Sequence, residues 1–577
     1  MENLKGKKII IVSIIIILLI LAVTAKIVYD NNRKYEVVKV TSIDYFLLIE
    51  DGRCGVLSKS GEVIISPEYD DIQIPNPSKP LFICMSNYNE NTKQYNITVL
   101  NEKSEKILYE YVNVEAIYIE NTTSSMPYDT SVLKYKENDR WGIIDFSGKK
   151  ITKPIYEDIK GLTFREGLLA VKKDSKYGVI NIKGTTIIKH QYDNIKCDGY
   201  YNQQGNYNNA GFITSIKTSN GFRYGYEDYN GKLILKPEYN DITRILDKKD
   251  DKNAFLVAFK NGRAAVYQNG KTLIKHDYED IFYNKQNDLL IVQKGLKQGV
   301  LKFNSEEVIP IKFSNIIISG KYINAQTESE VEVFDLNGVK HSFNGYISVS
   351  TTDNDNYNIA ITSNDVYRLL DNNGNVITKN DYNSLKNIDK DNYIAKKDNK
   401  YGIIDLNEKI KIDFEYDIIQ TINNTKIIQA IKLDENRLDL YNADLVKVAS
   451  LEKASIFLES NYVKMTTDNI VKYFDYQGKE LINKEVFENK IYAIKQNDKW
   501  GFADKDGNII VEPKYEFVTE INSNGFAGIK SNGKWGSINS DGKVVKEPEY
   551  EILEGSPEFI GEYYKVDYGY GTPYYTK

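Results

Sequence analysis

The sequence predicts an all-β chain, an array of about fourteen three-stranded repeats arranged as an open superhelix or as propeller-like halves, behind one N-terminal transmembrane helix. Three observations predict it. One residue pattern returns at a period of about 35 residues, inside the range of repeat arrays. Within each unit apolar and polar residues alternate, which marks half-buried strands. Helical periodicity is absent, and the one long apolar run lies near residue 9.

That run, Ile9 to Ala25, reads IIIVSIIIILLILAVTA and carries no charge. At a rise of about 1.5 Å per residue it nearly crosses a ~30 Å hydrocarbon core. Lys26 as a snorkelling residue, with Ile27 and Val28, completes the span. Lys5, Lys7 and Lys8 precede it and point to a cytoplasmic N-terminus, while Lys26, Arg33 and Lys34 weaken the bias. A cleaved signal peptide is the rival reading, since Val23-Thr24-Ala25 ends in a small residue. Both readings export everything after Asp30. The expected layout is thus a cytoplasmic segment 1–8, a signal-anchor helix 9–28 and a juxtamembrane segment 29–44.

The clearest repeat is RWGIIDFSGKKITKPIYEDI, from Arg140 to Ile159. Further copies start at Arg53, Lys176, Arg223, Lys400, Lys499 and Lys534, and weaker ones at Arg263, Lys297 and Val366. Gly142-Ile143-Ile144-Asp145 reads as a strand. Asp145-Phe146-Ser147-Gly148 reads as its hairpin turn, because Asp bonds its own backbone and Gly supplies a positive φ. Lys150-Ile151-Thr152 reads as a second strand that stops at Pro154, which has no N–H for a ladder. Pro-x-Tyr-Asp/Glu-x-Ile then packs one aromatic and one aliphatic side chain, such as Tyr156 and Ile159. Leu168 to Lys172 gives a third strand leading into the next copy.

This pattern resembles the WG-repeat family, on the pairs Trp141-Gly142, Trp500-Gly501 and Trp535-Gly536 and their variants Tyr177-Gly178, Tyr224-Gly225 and Tyr401-Gly402. With Tyr156, Tyr192, Tyr239, Tyr416, Tyr515 and Tyr550 these are read as structural positions, for packing and turns. The resemblance implies a repeat architecture and carries no defined activity. Units of the first half are expected over 45–327 and of the second over 367–558. A degraded stretch at 328–366 is a candidate seam, and 559–577 is a Tyr-rich half-repeat that caps the last edge. Fourteen units exceed the roughly four to eight blades of an ordinary ring.

Composition narrows the function. A net charge of −6, from 75 basic and 81 acidic residues mixed along the chain, gives no basic tract for nucleic acid. Cys54, Cys84 and Cys197 form no disulfide framework, although a Cys54–Cys84 bridge is open to an exported chain. The three histidines cannot assemble a triad or zinc site readily; His190 and His276 occupy the repeat slot of Pro, and His341 stands alone. Asp504-Lys505-Asp506-Gly507-Asn508 mimics the start of a calcium loop but reads as a hairpin turn, and Asp353 to Asn356 as a polar loop. Acids and an amide at one unit position (Glu157, Asp193, Glu279 and Asn240) read as solvent-facing or turn-bonding. Tyrosines outside the repeat slot, in the insertion Asp198–Asn209 and the tail Tyr563–Tyr575, are candidate stacking platforms. No catalytic, metal or cofactor site is expected. The function expected is a non-catalytic, membrane-anchored extracellular scaffold that binds an envelope protein, cell-wall polymer or glycan. A surface polysaccharide hydrolase with paired carboxylates is the alternative.

Overall fold

The computed structural model describes residues 40–119, 127–162, 167–201, 207–245, 255–343, 345–459, 461–467, 471–481, 491–552, 555–567 and 572–577. The expected anchor at 9–28 lies outside them, and among the described residues no helix is long and apolar enough to cross a membrane. The chain is all-β. Fourteen small sheets form a propeller-like ring; ten have four strands, three have three and one has six. We number these blades 1 to 14 from the sheet that contains Tyr45.

Blade 4 shows the plan. Strands Asp158–Gly161, Leu168–Lys173, Lys176–Asn181 and Thr186–Tyr192 pair antiparallel in chain order. The sequence led to three strands per unit; most blades gain a fourth because the Asp/Glu-x-Ile element, read as a packing motif, opens the next sheet. Tyr192 ends blade 4, and Ile195 lies in the first strand of blade 5, Asn194–Tyr201. A repeat read from the sequence therefore straddles two sheets. The core follows: Leu168, Val179, Ile188 and Tyr192 of blade 4 pack with Ile195 and Phe212 of blade 5. Burial of each such side chain contributes about 1.5–3 kcal/mol, and similar clusters join neighbours around the ring.

The Trp/Tyr-Gly step has a mechanical reason. In blade 4 Tyr177 pairs with Tyr192 but Val179 pairs with Ile188, so Gly178 alone faces a three-residue bulge. A Cβ on Gly178 would sit 2.6 Å from the Ile188 carbonyl oxygen. Pro67, Pro237, Pro513 and Pro548 occupy the middle of this bulge in their blades, where no ladder donor is needed. In blade 11 the glycine slot holds Asp439, and the strands run straight there, Leu438 to Leu451, Asp439 to Ser450 and Leu440 to Ala449.

The turn glycines act between blades. Asp145 Oδ1 accepts the amides of Ser147 and Lys149, and Gly148 has φ 85°. Ser305 takes the equivalent place at φ 69°, and its hydroxyl donates to the Leu273 carbonyl of the preceding blade at 2.7 Å. The acids after the repeat Tyr pin the next blade. Asp193 accepts Lys217 N–H at 2.8 Å, Glu279 accepts Gly295 N–H at 2.9 Å and Asp417 accepts Leu433 N–H at 2.9 Å. Lys176 and Lys400 pair with Asp193 and Asp417 at 2.8 and 2.7 Å.

The array closes on itself. Blade 1 joins Tyr45–Glu50, Arg53–Ser58 and Val63–Tyr69 to Phe559–Ile560, Tyr563–Val566 and Tyr574–Thr576. Leu47 pairs with Tyr574 and Leu48 with Tyr575, in parallel. Leu48, Leu57, Ile560, Tyr563 and Tyr575 bury one another, with Tyr575 edge-on to Phe46 at 5.2 Å. The tail thus shares a sheet with the first strands. The stretch 328–366 lies inside blades 8 and 9, which pack through Tyr322, Val333, Val349 and Ala360.

Candidate functional site

Residues singled out by the repeat lie along the blades rather than at one place. The glycines Gly142, Gly178, Gly225, Gly402, Gly501 and Gly536 are buried. Trp141, Tyr177, Tyr224, Tyr401 and Trp500 are half-buried and Trp535 is buried. Lysines of the neighbouring strand roof the indoles, Lys134 at 4.4 Å from the Trp141 ring and Lys530 at 5.4 Å from Trp535. Tyr156, Tyr192, Tyr239, Tyr416 and Tyr515 are buried between blades, and Tyr550 is half-buried.

The isolated candidates resolve into local structure. His190 stacks on Tyr156 of blade 3 at 6.0 Å, and His276 stacks on Tyr239 of blade 5 at 5.9 Å. His341 stacks on Phe343. Asp504 Oδ1 accepts the amides of Asp506 and Asn508, and its Oδ2 accepts the Asn508 side chain, so the loop is a hairpin turn. Asp355 and Lys390 offer their carbonyls to Lys321 and Asn354, which ties the polar loop to its neighbours. Cys54 and Cys84 are free thiols inside one apolar cluster. In the insertion, Asp198 accepts from Arg244 and from the Tyr226 hydroxyl, each at 2.7 Å, and residues 202–206 lie outside the described residues. Two tail tyrosines differ from the expectation of exposed platforms: Tyr563 and Tyr575 are buried, because the tail is part of blade 1. Tyr568 to Gly571 lie outside the described residues.

The structure assembles a site the repeat pattern does not mark. A cleft of about 600 Å³ runs between blades 12, 13 and 14. Phe457 and Lys464 come from blade 12, Lys495 and Trp500 from blade 13, and Phe517 and Glu520 from the start of blade 14. Trp500 meets Phe517 at 5.7 Å and 56°, and Phe517 meets Trp535 edge-on at 5.9 Å. The result is an aromatic floor with Phe457 half exposed beside it. Lys464 Nζ stands 3.5 Å from Glu520 Oε1.

The two acids lining the cleft have opposite environments. Burial pushes the Glu520 carboxyl up, against the pull of Lys464. Glu516 is held below the usual carboxylate range by the Gly533 amide, with the Asn532 amide adding to it, at 2.9 and 3.0 Å. Glu516 is therefore another of the acids that pin a hairpin. Glu520 is the acid without a repeat-wide duty. Its sequence signal was slight, a carboxylate five residues after the repeat Tyr, where other blades carry Cys197, Arg244 or Tyr283.

Fold and cleft together define a closed β-repeat ring with a side-chain-lined cleft. The model of the WG containing repeat matches residues 55–76, 141–177, 177–197, 224–247, 268–297 and 500–535, so repeats of this type recur across the chain. Among solved structures, a eukaryotic initiation factor is similar at 10% identity and TM-score 0.27, over 61% of this chain and 95% of that one. The extracellular domain of a hybrid two-component system from B. thetaiotaomicron is similar at 9% identity and TM-score 0.20, over 90% and 76%. The WD40 β-propeller domain of Doa1 is similar at 12% identity and TM-score 0.18, over 41% and 92%. The comparison with curated proteins gives no match.

Proposed function

We propose that the protein is a non-catalytic binding scaffold, held at a membrane by segment 9–28 with its ring outside the cell, and that the cleft between blades 12 and 14 takes a cell-wall polymer or glycan. One observation carries the reading: Trp500 and Phe517 form an aromatic floor beside a single acid–lysine pair, Glu520 and Lys464. Aromatic faces stack on the apolar faces of sugar rings, and a flanking carboxylate and ammonium satisfy hydroxyls.

A hydrolase acting through the same cleft is the second reading, favoured by the raised Glu520 and lowered Glu516 in one site. The hairpin amides on Glu516 weigh against it, since that carboxylate already anchors the fold.

Purified cell-wall polysaccharide is the probe, titrated into the full chain in detergent micelles. Saturable binding is expected, reduced about tenfold by Phe457→Ser and by Glu520→Gln. Binding that both variants leave unchanged removes the cleft from the proposal. Release of reducing ends that Glu520→Gln abolishes establishes the hydrolase. Protease shaving of intact cells tests placement: the ring is expected to be cut, and a protected ring overturns the exported location.

A further inference from the structure

Blade 2, like blades 8 and 12, has a fourth strand of only two residues, and at the same spot it also lacks the acid that pins the next hairpin in blades such as 4 and 6. Its third strand, Gln94–Leu100, pairs with a fourth strand of only two residues, Lys106–Ile107, at Val99–Ile107 and Leu100–Lys106. Leu108 then turns away at φ 53°. In blade 3 the position four residues before the turn acid, Trp141, exchanges both backbone hydrogen bonds with Tyr156, at 2.8 and 3.0 Å. The matching position of blade 2 is Ile97, four before the turn residue Asn101, and the ladder has already ended at Val99. From Thr98 back to Gln94 the outer edge of this strand has no ladder partner among the described residues.

The second feature is the missing hairpin pin. Tyr111 holds the repeat Tyr position, packed on Tyr135 at 5.0 Å, and the residue after it is Val112 instead of an acid. Val112 is 91% exposed and Tyr109 is 85% exposed. Val112 therefore cannot hold the blade 3 hairpin Lys136–Asp139 as Asp193 or Glu279 hold theirs. Between that hairpin and the open strand edge lies a groove of about 660 Å³.

We infer that this groove receives one extended segment of a partner polypeptide, which completes blade 2 by β-strand addition. An open edge offers main-chain donors and acceptors in a fixed row, and alternate side chains of an added strand meet the wall below. Ile97, Tyr109, Tyr111 and Val112 give that wall an apolar and aromatic part, beside the polar Asn96, Thr98, Lys106 and Asn113. The charges at the rim already pair, Lys136 with Asp139 at 3.3 Å and Glu137 with Lys150 at 2.7 Å. The guest side chains that meet Tyr109, Tyr111 and Val112 are accordingly apolar. The blade 3 hairpin, Lys136 to Asp139, walls the groove on its far side. This site is separate from the cleft of blades 12–14 and does not depend on it.

The test uses the full chain in micelles and a fluorescein-labelled peptide, KIKIDFEY, the chain's own fourth strand of blade 10 (Lys409–Tyr416), which pairs with such an edge in the ring. Saturable anisotropy is expected, weakened about tenfold or more by Tyr95→Pro, which strips a donor from the edge, and by Val112→Asp, which restores the pin. The same peptide N-methylated at alternate residues is expected not to bind. Circular dichroism and thermal unfolding of both variants report whether the ring is intact. No saturable binding, equal binding by both folded variants, or equal binding of the N-methylated peptide overturns the proposal. A concentration-dependent dimer that Tyr95→Pro dissolves also overturns it, assigning the edge to a second copy.

Discussion

Asp439 shows how one residue can replace a repeat rule. Its side chain is fully buried, and it accepts from Tyr416 Oη at 2.6 Å, Ser450 Oγ at 2.6 Å and Lys447 Nζ at 2.7 Å. Burial opposes its ionisation, but Lys447, Ser450 and Tyr416 outweigh it and hold the carboxyl below its ordinary value. A folded-state value below the unfolded one, about 3.9, means the stabilisation is present above about pH 4 and fades as pH falls through the folded value. Asp439→Asn keeps the shape and removes the charge, leaving Lys447 without its anion. We expect a loss of about 2–4 kcal/mol at pH 7 that shrinks toward pH 3, measured by denaturant unfolding at each pH. A pH-independent loss assigns the effect to packing alone. The partners of this acid come from two other strands, so its own stretch of sequence does not reveal them.

At the scale of the strand pair, the alternation, the Asp-x-x-Gly turns and the repeat Tyr were readable because each is set by neighbours within a few residues. Asp145 and Gly148 form the turn their spacing implies. The bulge opposite Gly178 was not readable, because it depends on which residues of the next strand lie across from it. The offset between repeat and sheet was hidden for a similar reason: Ile159 and Ile195 follow their Tyr closely in sequence yet belong to the next blade. The cleft was invisible, since Lys464, Trp500 and Glu520 meet only after three blades pack. Gly178→Ala tests the bulge. Its Cβ meets backbone that cannot swing aside, and we expect about 2–4 kcal/mol of destabilisation by thermal or urea unfolding. Asp439→Gly, at the slot with straight pairing, is expected to leave no bulge behind; amide exchange of blade 11 reports this through protection retained at Ala449 and Leu451.

For the whole molecule, closure lies in a few residues of blade 1. Tyr575 is buried against Phe46, and its hydroxyl donates to Glu558 at 3.2 Å. Tyr575→Ala removes most of this contact, at a cost of about 3–5 kcal/mol for a buried aromatic. Blade 1 is expected to open before the rest, seen as faster proteolysis at the tail and a larger hydrodynamic radius. An unchanged radius and digestion pattern would show that the remaining strands suffice. The sequence counted about fourteen units correctly, but an average blade number led toward an open superhelix or separate halves. What decided otherwise is the pairing of Leu47 and Leu48 with Tyr574 and Tyr575, a contact between residues more than five hundred positions apart.

The straddling of repeat and sheet has an evolutionary consequence. A duplication or loss of one repeat inserts or removes the end of one blade and the start of the next, so every interface that remains is rebuilt from matching halves. The joint between the two chain ends lies within blade 1, so such a change leaves its own residues unaltered. A change of one whole repeat therefore calls for no new kind of contact between blades.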